Sequence, residues 1–477
     1  HLFYNAIISK NIQGFMMSVT TIHPQYAEFA PIVKLTRDAV KGNPAIKAGG
    51  TTYLPADFAV SDPDRYLVYK DRAYFMGVTG QTQDACIGMV FRKPAIQELP
   101  PQLEALADNI DGSGQSTEQV SKYAVKEVKE AGRIGFLADY PSAEDVTNKA
   151  QEKALGLRPY MSTYTFESII NWKTEVIGGK DILTLVVLKE SVEDPTNTDE
   201  FSHEVDDQYR VLRLIDGAYT QQLYDDSGLA TNEQWTPLQA GKPIDHIPFT
   251  IAGAANNLPA CDMPMLYDIA VVNIAHYQTT ADHRENLFVH GQLTMGISTE
   301  LSSAEFEVAN PNGVTVGARK GIFLGESGAL HSITAPESSA LRIALLDLLD
   351  EMRDLGAKKV QAGGQAETAE AARINASAQT STLSTVVMNV SDAMTQCLVD
   401  MALFMGADGD VSYEINQDFW EASLDPQVIA AVTNLKVAGT IATADVLYML
   451  RQGKVGLDPK RTDEIIAIDV ANELIDG

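Results

Sequence analysis

Three histidines in this 477-residue chain, His276, His283 and His290, recur every seven residues, and imidazole at regular spacing is the first place to look for a metal. On one helix face, successive members of this set would stand two turns apart, about 10 Å. That is too far to share one metal within one chain. The spacing reads as polar surface or interface histidines. His203-Glu204 lacks a second His four residues on and is not a zincin helix. Each Gly-Lys pair (Gly179-Lys180, Gly241-Lys242, Gly453-Lys454) is followed by Asp, Pro or Val, so none completes a phosphate-cradling loop. Asp111-Gly112-Ser113-Gly114 lacks a third glycine and a preceding strand, and reads as a turn. Gly325-Glu326-Ser327-Gly328 has its second glycine one place too early for a nucleophile elbow. Cys86, Cys261 and Cys397 lie far apart and form no CxxC pair, which argues against a disulfide framework or a structural zinc site and fits a reducing compartment. No nucleophile–base set is visible. The expectation is a protein that is not an enzyme and needs no cofactor or metal.

Composition narrows the remaining classes. With 36 Lys and Arg against 64 Asp and Glu, the formal net charge is −28. That field opposes a tight grip on phosphates and disfavours anionic membrane surfaces. Hydrophobic residues make up 45% of the chain and charged residues 21%, which is ordinary for a folded protein. The length allows roughly two or three packing units. No run approaches the roughly 18 apolar residues of a membrane-spanning helix. The first residues carry no basic region leading to an apolar core, and residues 1–16 read as a leader or cloning remnant.

The elements that would position any site follow from patterning. Residues 17–112 read as helices separated by turns. Ser116 and Gln119 form a capping-box pattern for a helix over 117–131, with Val120, Ala124, Val128 and Ala131 on one stripe and Gly132 as its stop. Ile134 to Tyr140 reads as a buried strand. From 160 to 250 the period is that of strands. One hairpin is expected around Gly178-Gly179-Lys180-Asp181 and another around Asp216-Gly217. Between them, Glu190 to Asp207 holds eight acids and no Lys or Arg, and reads as a solvated loop.

Helical character resumes with a start at Asp262 and Pro264, running to about Leu287. Short strands are expected over 288–335. Thr334, Pro336 and Glu337 then open a helix whose Leu341, Leu345, Leu348, Met352 and Leu355 step 4-3-4-3, a seam for a neighbouring helix that stops at Gly356. Glu367 to Met405 contains neither Gly nor Pro and would make one helix about 60 Å long. Leu383, Val387, Val390, Met394, Cys397, Leu398 and Met401 stripe one face of it. Its N-terminal half is small and polar and calls for support from outside the local fold. Short helices are expected at about 425–437, 442–452 and 461–475.

Laid in order, these residues resemble the portal proteins of tailed double-stranded DNA bacteriophages. The likeness is carried by Tyr53-Leu54-Pro55 and by the run Tyr66-Leu67-Val68-Tyr69-Lys70-Asp71-Arg72-Ala73-Tyr74-Phe75. Gly88 to Lys93, Asn109 to Gly114, Gly132 to Pro141, Ile169 to Trp172 and Ile247 to Phe249 add to it. So do Ile274 to Tyr277, Met352 to Ala357 and Glu367 to Ala369. The resemblance spans about 50–420 and lies in order and spacing rather than in any single motif.

What the resemblance implies is an α+β portal fold assembled as a ring, usually of twelve subunits, at one capsid vertex. Carried onto this chain, a mixed α/β wing would occupy 17–261, a first stem helix 262–287, a small β-containing clip 288–335 and a second stem helix 336–355. A tunnel loop would occupy 356–366, a long helix 367–405 and a helical crown 406–477. DNA would be packaged and ejected through the channel. Partners would be the terminase large subunit, the major capsid protein and a head–tail adaptor, with assembly in the host cytoplasm and residence in the virion. Lys358, Lys359, Gln361 and Gln365 would face DNA from the tunnel loop. Arg342, Asp347, Asp350, Glu351, Arg353 and Asp354 would line the stem channel, and Arg319 and Lys320 would dock clip partners. The alternative is another virion structural protein, a scaffold or tail component without a DNA channel.

Overall fold

In the computed structural model, the residues described are 18–141, 157–193, 201, 203–239, 241–291, 294–311, 323–333, 339–357, 369–417, 419, 434 and 446. The fold is α+β. The longer helices that lead the chain are α1 (Pro24–Lys41), α2 (Pro63–Arg72), α3 (Val78–Val90) and α4 (Thr117–Ala131), with the short strand β1 (Ile96–Glu98) between the last two. The α4 boundaries are those of the sequence signals. The Ser116 hydroxyl accepts from the Gln119 backbone N–H while the Gln119 side chain accepts from the Ser116 N–H. Gly132 closes the helix in the left-handed conformation. The helix runs straight into β2 (Arg133–Asp139), which is buried along its whole length.

β2 is the centre of a three-stranded antiparallel sheet, flanked by β3 (Tyr160–Tyr164) and β8 (Phe249–Gly253). A second sheet is the four-stranded meander β4 (Ile169–Ile177), β5 (Lys180–Glu193), β6 (Val205–Ile215) and β7 (Ala218–Tyr224). Both expected hairpins are present as two-residue turns. Ile177 pairs with Lys180 across Gly178-Gly179, and Ile215 pairs with Ala218 across Asp216-Gly217. Asp216 and Gly217 take φ of 50° and 76°, the backbone that a primed turn demands.

The acidic segment differs from its expected form. Glu190 to Glu193 continue β5, and Val205 to Asp207 begin β6, paired rung by rung. The acids are tolerated because cations just outside the segment face them. Lys189 lies 2.7 Å from Asp207, and Arg210 lies 2.7 Å from Glu190. Arg210 also reaches Asp139 at 3.3 Å, and the Tyr164 hydroxyl donates to Glu190 at 2.6 Å. The part that read as a loop and is neither β5 nor β6 falls largely outside the described residues.

The largest core lies between α4, the sheet around β2 and the C-terminal half of the long helix α8 (Ala369–Met405). Its α8 residues are those of the expected stripe: Leu383, Val387, Val390, Met394, Cys397, Leu398 and Met401 are all buried. Polar stitches fix the register. Thr250 Oγ1 donates to the Ala393 carbonyl at 3.0 Å, and Asn389 Nδ2 donates to the Gly253 carbonyl at 2.8 Å. The chain after α8 is not wholly helical. Ser412–Glu414 forms the short strand β11, antiparallel to β1, and Tyr413 Oη donates to Ser121 Oγ at 2.9 Å. Residues 406–417 therefore pack on the main body, and the three helices expected beyond them lie, apart from Asn434 and Val446, outside the described residues.

Two arginines, the partly buried Arg37 and the buried Arg133, organise the first half. Arg37 in α1 bonds Glu127 at 2.6 Å and Glu130 at 3.0 Å in α4, and Glu167 at 2.6 Å. Arg133 is wholly buried, stacked 4.2 Å over Trp172 and donating to the Ile169 carbonyl at 2.8 Å. Burial is the main force that lowers its pKa, to about 10.

His246, which the sequence gave no reason to single out, fastens the approach to β8 onto α8. Its Nε2 is 3.2 Å from the buried Asp400 carboxylate and its Nδ1 is 2.9 Å from Asp245. The Asp400 bond, with help from Asp245 and against partial burial, raises the imidazole to about 9. The folded value lies above the ordinary 6.5, so this contact stabilises fully below pH 6.5 and is lost as pH rises towards 9. His246→Gln should remove that dependence. The wild type should lose about 1 kcal/mol more than the variant between pH 6.5 and 9, allowing for solvent screening. Parallel stability profiles by urea unfolding would contradict the assignment.

Candidate functional site

The helix pair that the sequence places on either side of a small strand unit is present. Helix α5 (Tyr267–Gly291) leads into β9 (Thr294–Ser298), and β10 (Ala329–Ile333) pairs antiparallel with β9 before α7 (Ser339–Met352). A short capped helix, α6 (Ser303–Ala309), follows β9 and was not foreseen. Helices α5 and α7 pack together, with Leu349 and Met352 at one end of α7 against Leu266, Ile269 and Val272 at the start of α5. The C-terminus of α7 therefore meets the N-terminus of α5, and the two run antiparallel.

α5 begins at Tyr267 rather than at Asp262. The Asp262 carboxylate is drawn away, accepting from the Ala255 N–H at 2.7 Å, while the Pro264 carbonyl accepts from Tyr267 at 3.0 Å. The tyrosine-rich stretch of the first half grips this helix. Tyr69 Oη donates to Asp282 Oδ1 at 2.6 Å, and Gln278 Nε2 donates to the Tyr53 carbonyl at 2.9 Å. Tyr53 Oη donates in turn to Asp38 at 2.7 Å, and Tyr66 Oη to the Leu54 carbonyl at 3.1 Å. The rings of Phe75 and Tyr277 meet edge to face at 6.0 Å. Arg72 pairs with Glu285 at 3.1 Å, and its guanidinium lies 3.8 Å over the Phe288 ring. Burial, reinforced by Asp282, pushes the Tyr69 phenol well above its ordinary range, so it stays a neutral donor.

The grip changes the reading of the histidines. His276 is buried, not on the surface, and its Nδ1 has no partner. Burial lowers its pKa and keeps it neutral. His283 is half-buried, again with Nδ1 unpartnered. The heptad spacing puts the first two on the packed side of α5, and nothing brings them together around a metal. Among the described residues there is no group of three or more metal-ligating side chains.

The outward side of α7 carries the residues expected to line a channel. Arg342, Asp347, Asp350, Glu351, Arg353 and Asp354 are all exposed, and Arg353 pairs with Asp350 at 3.0 Å. At about 100° per residue, those on α7 itself span half the helix circumference, with Arg342 at one edge, Glu351 at the other and Asp350 and Asp347 between them. Ile343 and Leu346 stand exposed among them, a feature the seam pattern had hidden.

The seam itself ends earlier than its spacing implies. Beyond Met352 the backbone widens into a π turn, Arg353–Ala357, and Leu355 swings out to solvent. Gly356 sits inside that turn against α5 and α3. A Cβ there would lie 2.7 Å from Ile269 Cδ1 and 2.8 Å from Thr82 Cγ2, so close approach, rather than helix termination, explains the glycine. Lys358, Lys359, Gln361, Gln365, Arg319 and Lys320 lie outside the described residues.

Residues 265–405 match the family model of a domain of unknown function, DUF4055. That span runs from just before α5 to the last residue of α8. No curated protein matches the chain. Solved structures resemble it, two among them from gene transfer agent particles. One is a chain from the virion of a native gene transfer agent particle, at a TM-score of 0.41 and 12% identity, over 85% of this chain and 95% of that one. The other is from the neck of an empty gene transfer agent particle, at 0.42 and 13%, over 80% and 90%. Among the described residues no helix is long and apolar enough to cross a membrane.

Proposed function

We propose that this chain is a portal protein, a subunit of a ring at one vertex of a phage-type capsid through which double-stranded DNA is packaged and ejected. The observation that carries the reading is the succession α5, a small antiparallel strand unit, the antiparallel helix α7 and the 37-residue helix α8. It stands in the order that the motif string of the first half and the portal family both call for. In these terms the body around β2 and the meander is the wing. Helices α5 and α7 are the stem, and β9, α6 and β10 belong to the clip. Lys358, Lys359, Gln361 and Gln365 belong to a tunnel loop at the constriction, and residues after Phe419 form the crown.

The physical task is passage without capture. A chain of net charge −28, repeated around a channel, repels a polyanion, and the exposed acids of α7 extend that field along the stem. Lys358 and Lys359 then supply a few local phosphate contacts where the channel narrows. The clip, with Arg319 and Lys320, is the docking end for the terminase large subunit during packaging and for a head–tail adaptor afterwards. The wing faces the major capsid protein, and the assembled ring stays in the virion. The subunit catalyses nothing itself.

Negative-stain micrographs of the purified protein should show closed rings with a stain-filled centre. Filaments, monomers or solid particles would sink the proposal. Lys358→Ala with Lys359→Ala should leave rings intact and lower the DNA retained per particle. Unchanged packaging and retention would remove the lysines from the mechanism.

A further inference from the structure

The outer faces of α5 and α7 carry two stripes that complement each other in charge, apolar character and height. On α5, Asp268, Ala275 and Asp282 lie seven residues apart, a line within about 40° along the exposed side. It reads acid, small, acid. On α7 and the turn after it, Arg353, Leu346 and Arg342 fall within a similar arc and read base, large apolar, base. All three α7 residues are exposed, and so is Val271 beside Ala275.

The heights agree as well. Met352 packs in one cluster with Leu266 and Ile269 within one chain, and the helices are antiparallel. Arg353 therefore stands level with Asp268. Seven residues along each helix, about 10.5 Å, Leu346 stands level with Ala275. Arg342 comes about 6 Å further and Asp282 about 10.5 Å further, a gap that an arginine side chain spans.

Each stripe keeps exposed groups beyond the contacts it makes within its own chain. Leu346 and Arg342 are exposed beside the α5–α7 seam, and among the described residues neither Arg342 nor Asp268 forms an ion pair. Arg353 pairs with the exposed Asp350, and Asp282 accepts from Tyr69 through Oδ1.

We infer that the α7 stripe docks on the α5 stripe of a second copy of this chain, Arg353 to Asp268, Leu346 into the space beside Ala275 and Val271, and Arg342 to Asp282. A rotation about an axis parallel to the helix pair brings the stripes together with no shift along that axis. The contact is head-to-tail: the second copy keeps its own α7 stripe free for a third, so the chain of contacts closes as a ring. The inference rests on the ring reading and adds which surfaces make the ring. Because its charges are exposed, the contact weakens as salt rises.

Two chains, Leu346→Cys and Ala275→Cys, each with a different mass tag, are co-assembled and oxidised. Covalent dimers should contain one chain of each kind, and neither variant alone should give them. Cys86 and Cys397 are buried and Cys261 is partly exposed, so both variants carry Cys261→Ser and that single variant is the background control. In parallel, Arg353→Asp should raise the protein concentration at which rings fall apart by about fivefold. Adding Asp268→Arg to the same chain should restore it. Cross-links from Leu346→Cys alone, or an Arg353→Asp defect that Asp268→Arg does not relieve, would overturn the pairing. Rings in the micrographs without mixed cross-links would overturn it while leaving the ring itself standing. An absence of wild-type rings would instead remove the portal reading.

Discussion

Arg37→Met should cost about 3–5 kcal/mol of folding stability at neutral pH, the range for leaving buried charge without its partner. Arg37 stands among three carboxylates, those of Glu127 and Glu130 nearly buried and that of Glu167 half-exposed. Methionine fills much of the arginine stem's volume, so packing changes little and the charge term dominates. Without the guanidinium, Glu127 and Glu130 repel one another three residues apart on α4. Burial already raises the Glu130 carboxyl above its ordinary value. The deficit should therefore shrink as pH falls and Glu130 takes up a proton. Urea unfolding at pH 7 and pH 5 measures both effects. A loss under about 1 kcal/mol, or a deficit that grows on acidification, would show that the cluster is not held by Arg37.

Gly132→Ala should be the most damaging single-methyl change, at about 3 kcal/mol or more. The residue has φ of 79° where α4 turns into β2, and a Cβ added there would drive into the Asp262 carbonyl. Its N–H closes α4 on the Val128 carbonyl, and its own carbonyl accepts from Ala254 at 2.9 Å. The backbone can neither relax out of the left-handed region nor move away from the loop before α5. Gly217→Ala is the matching control. It has φ of 76° with nothing within 4 Å, so only the conformational cost of about 1–2 kcal/mol applies. Thermal unfolding of the two variants should differ clearly, and equal shifts would mean that the Asp262 contact yields.

Local signals carried much of this fold. The Ser116–Gln119 box, the Gly132 stop and the Asp216-Gly217 turn each satisfy a backbone demand within a few residues, so they are readable without knowing what lies across the chain. The α8 stripe was equally legible because burial on one face repeats with the helix period. What could not be read depends on partners far away in sequence. Glu190 to Asp207 looked like a loop because Lys189 and Arg210, which neutralise its ends, sit outside the acidic window. The π turn at Arg353–Ala357 follows from the approach of Ile269 and Thr82 to Gly356, and a heptad count has no means of anticipating it. His276 illustrates the same limit. Its spacing placed it on the helix, but only the packing around α5 decides that it is buried. For the proposed site, the charged residues of α7 were visible, whereas the apolar pair among them, Ile343 and Leu346, was not. A seam count assigns apolar residues inward, and these two face out.

The pairing of β1 with β11 sets a timetable for the nascent chain. Ile96 and its partner Glu414 are separated by more than 300 residues, and Tyr413 completes the core that α4 begins. At roughly 5–20 residues per second, the ribosome needs about 15–60 s to make the intervening segment. Throughout that interval the apolar sides of α4 and β2 wait for α8 and for Tyr413. Closing so long a loop is also a slow kind of contact. The chain thus emerges with its central sheet uncovered. Its yield in a cell should respond to translation rate and to the supply of chaperones that shield apolar surface, more than to the strength of any contact in the finished subunit.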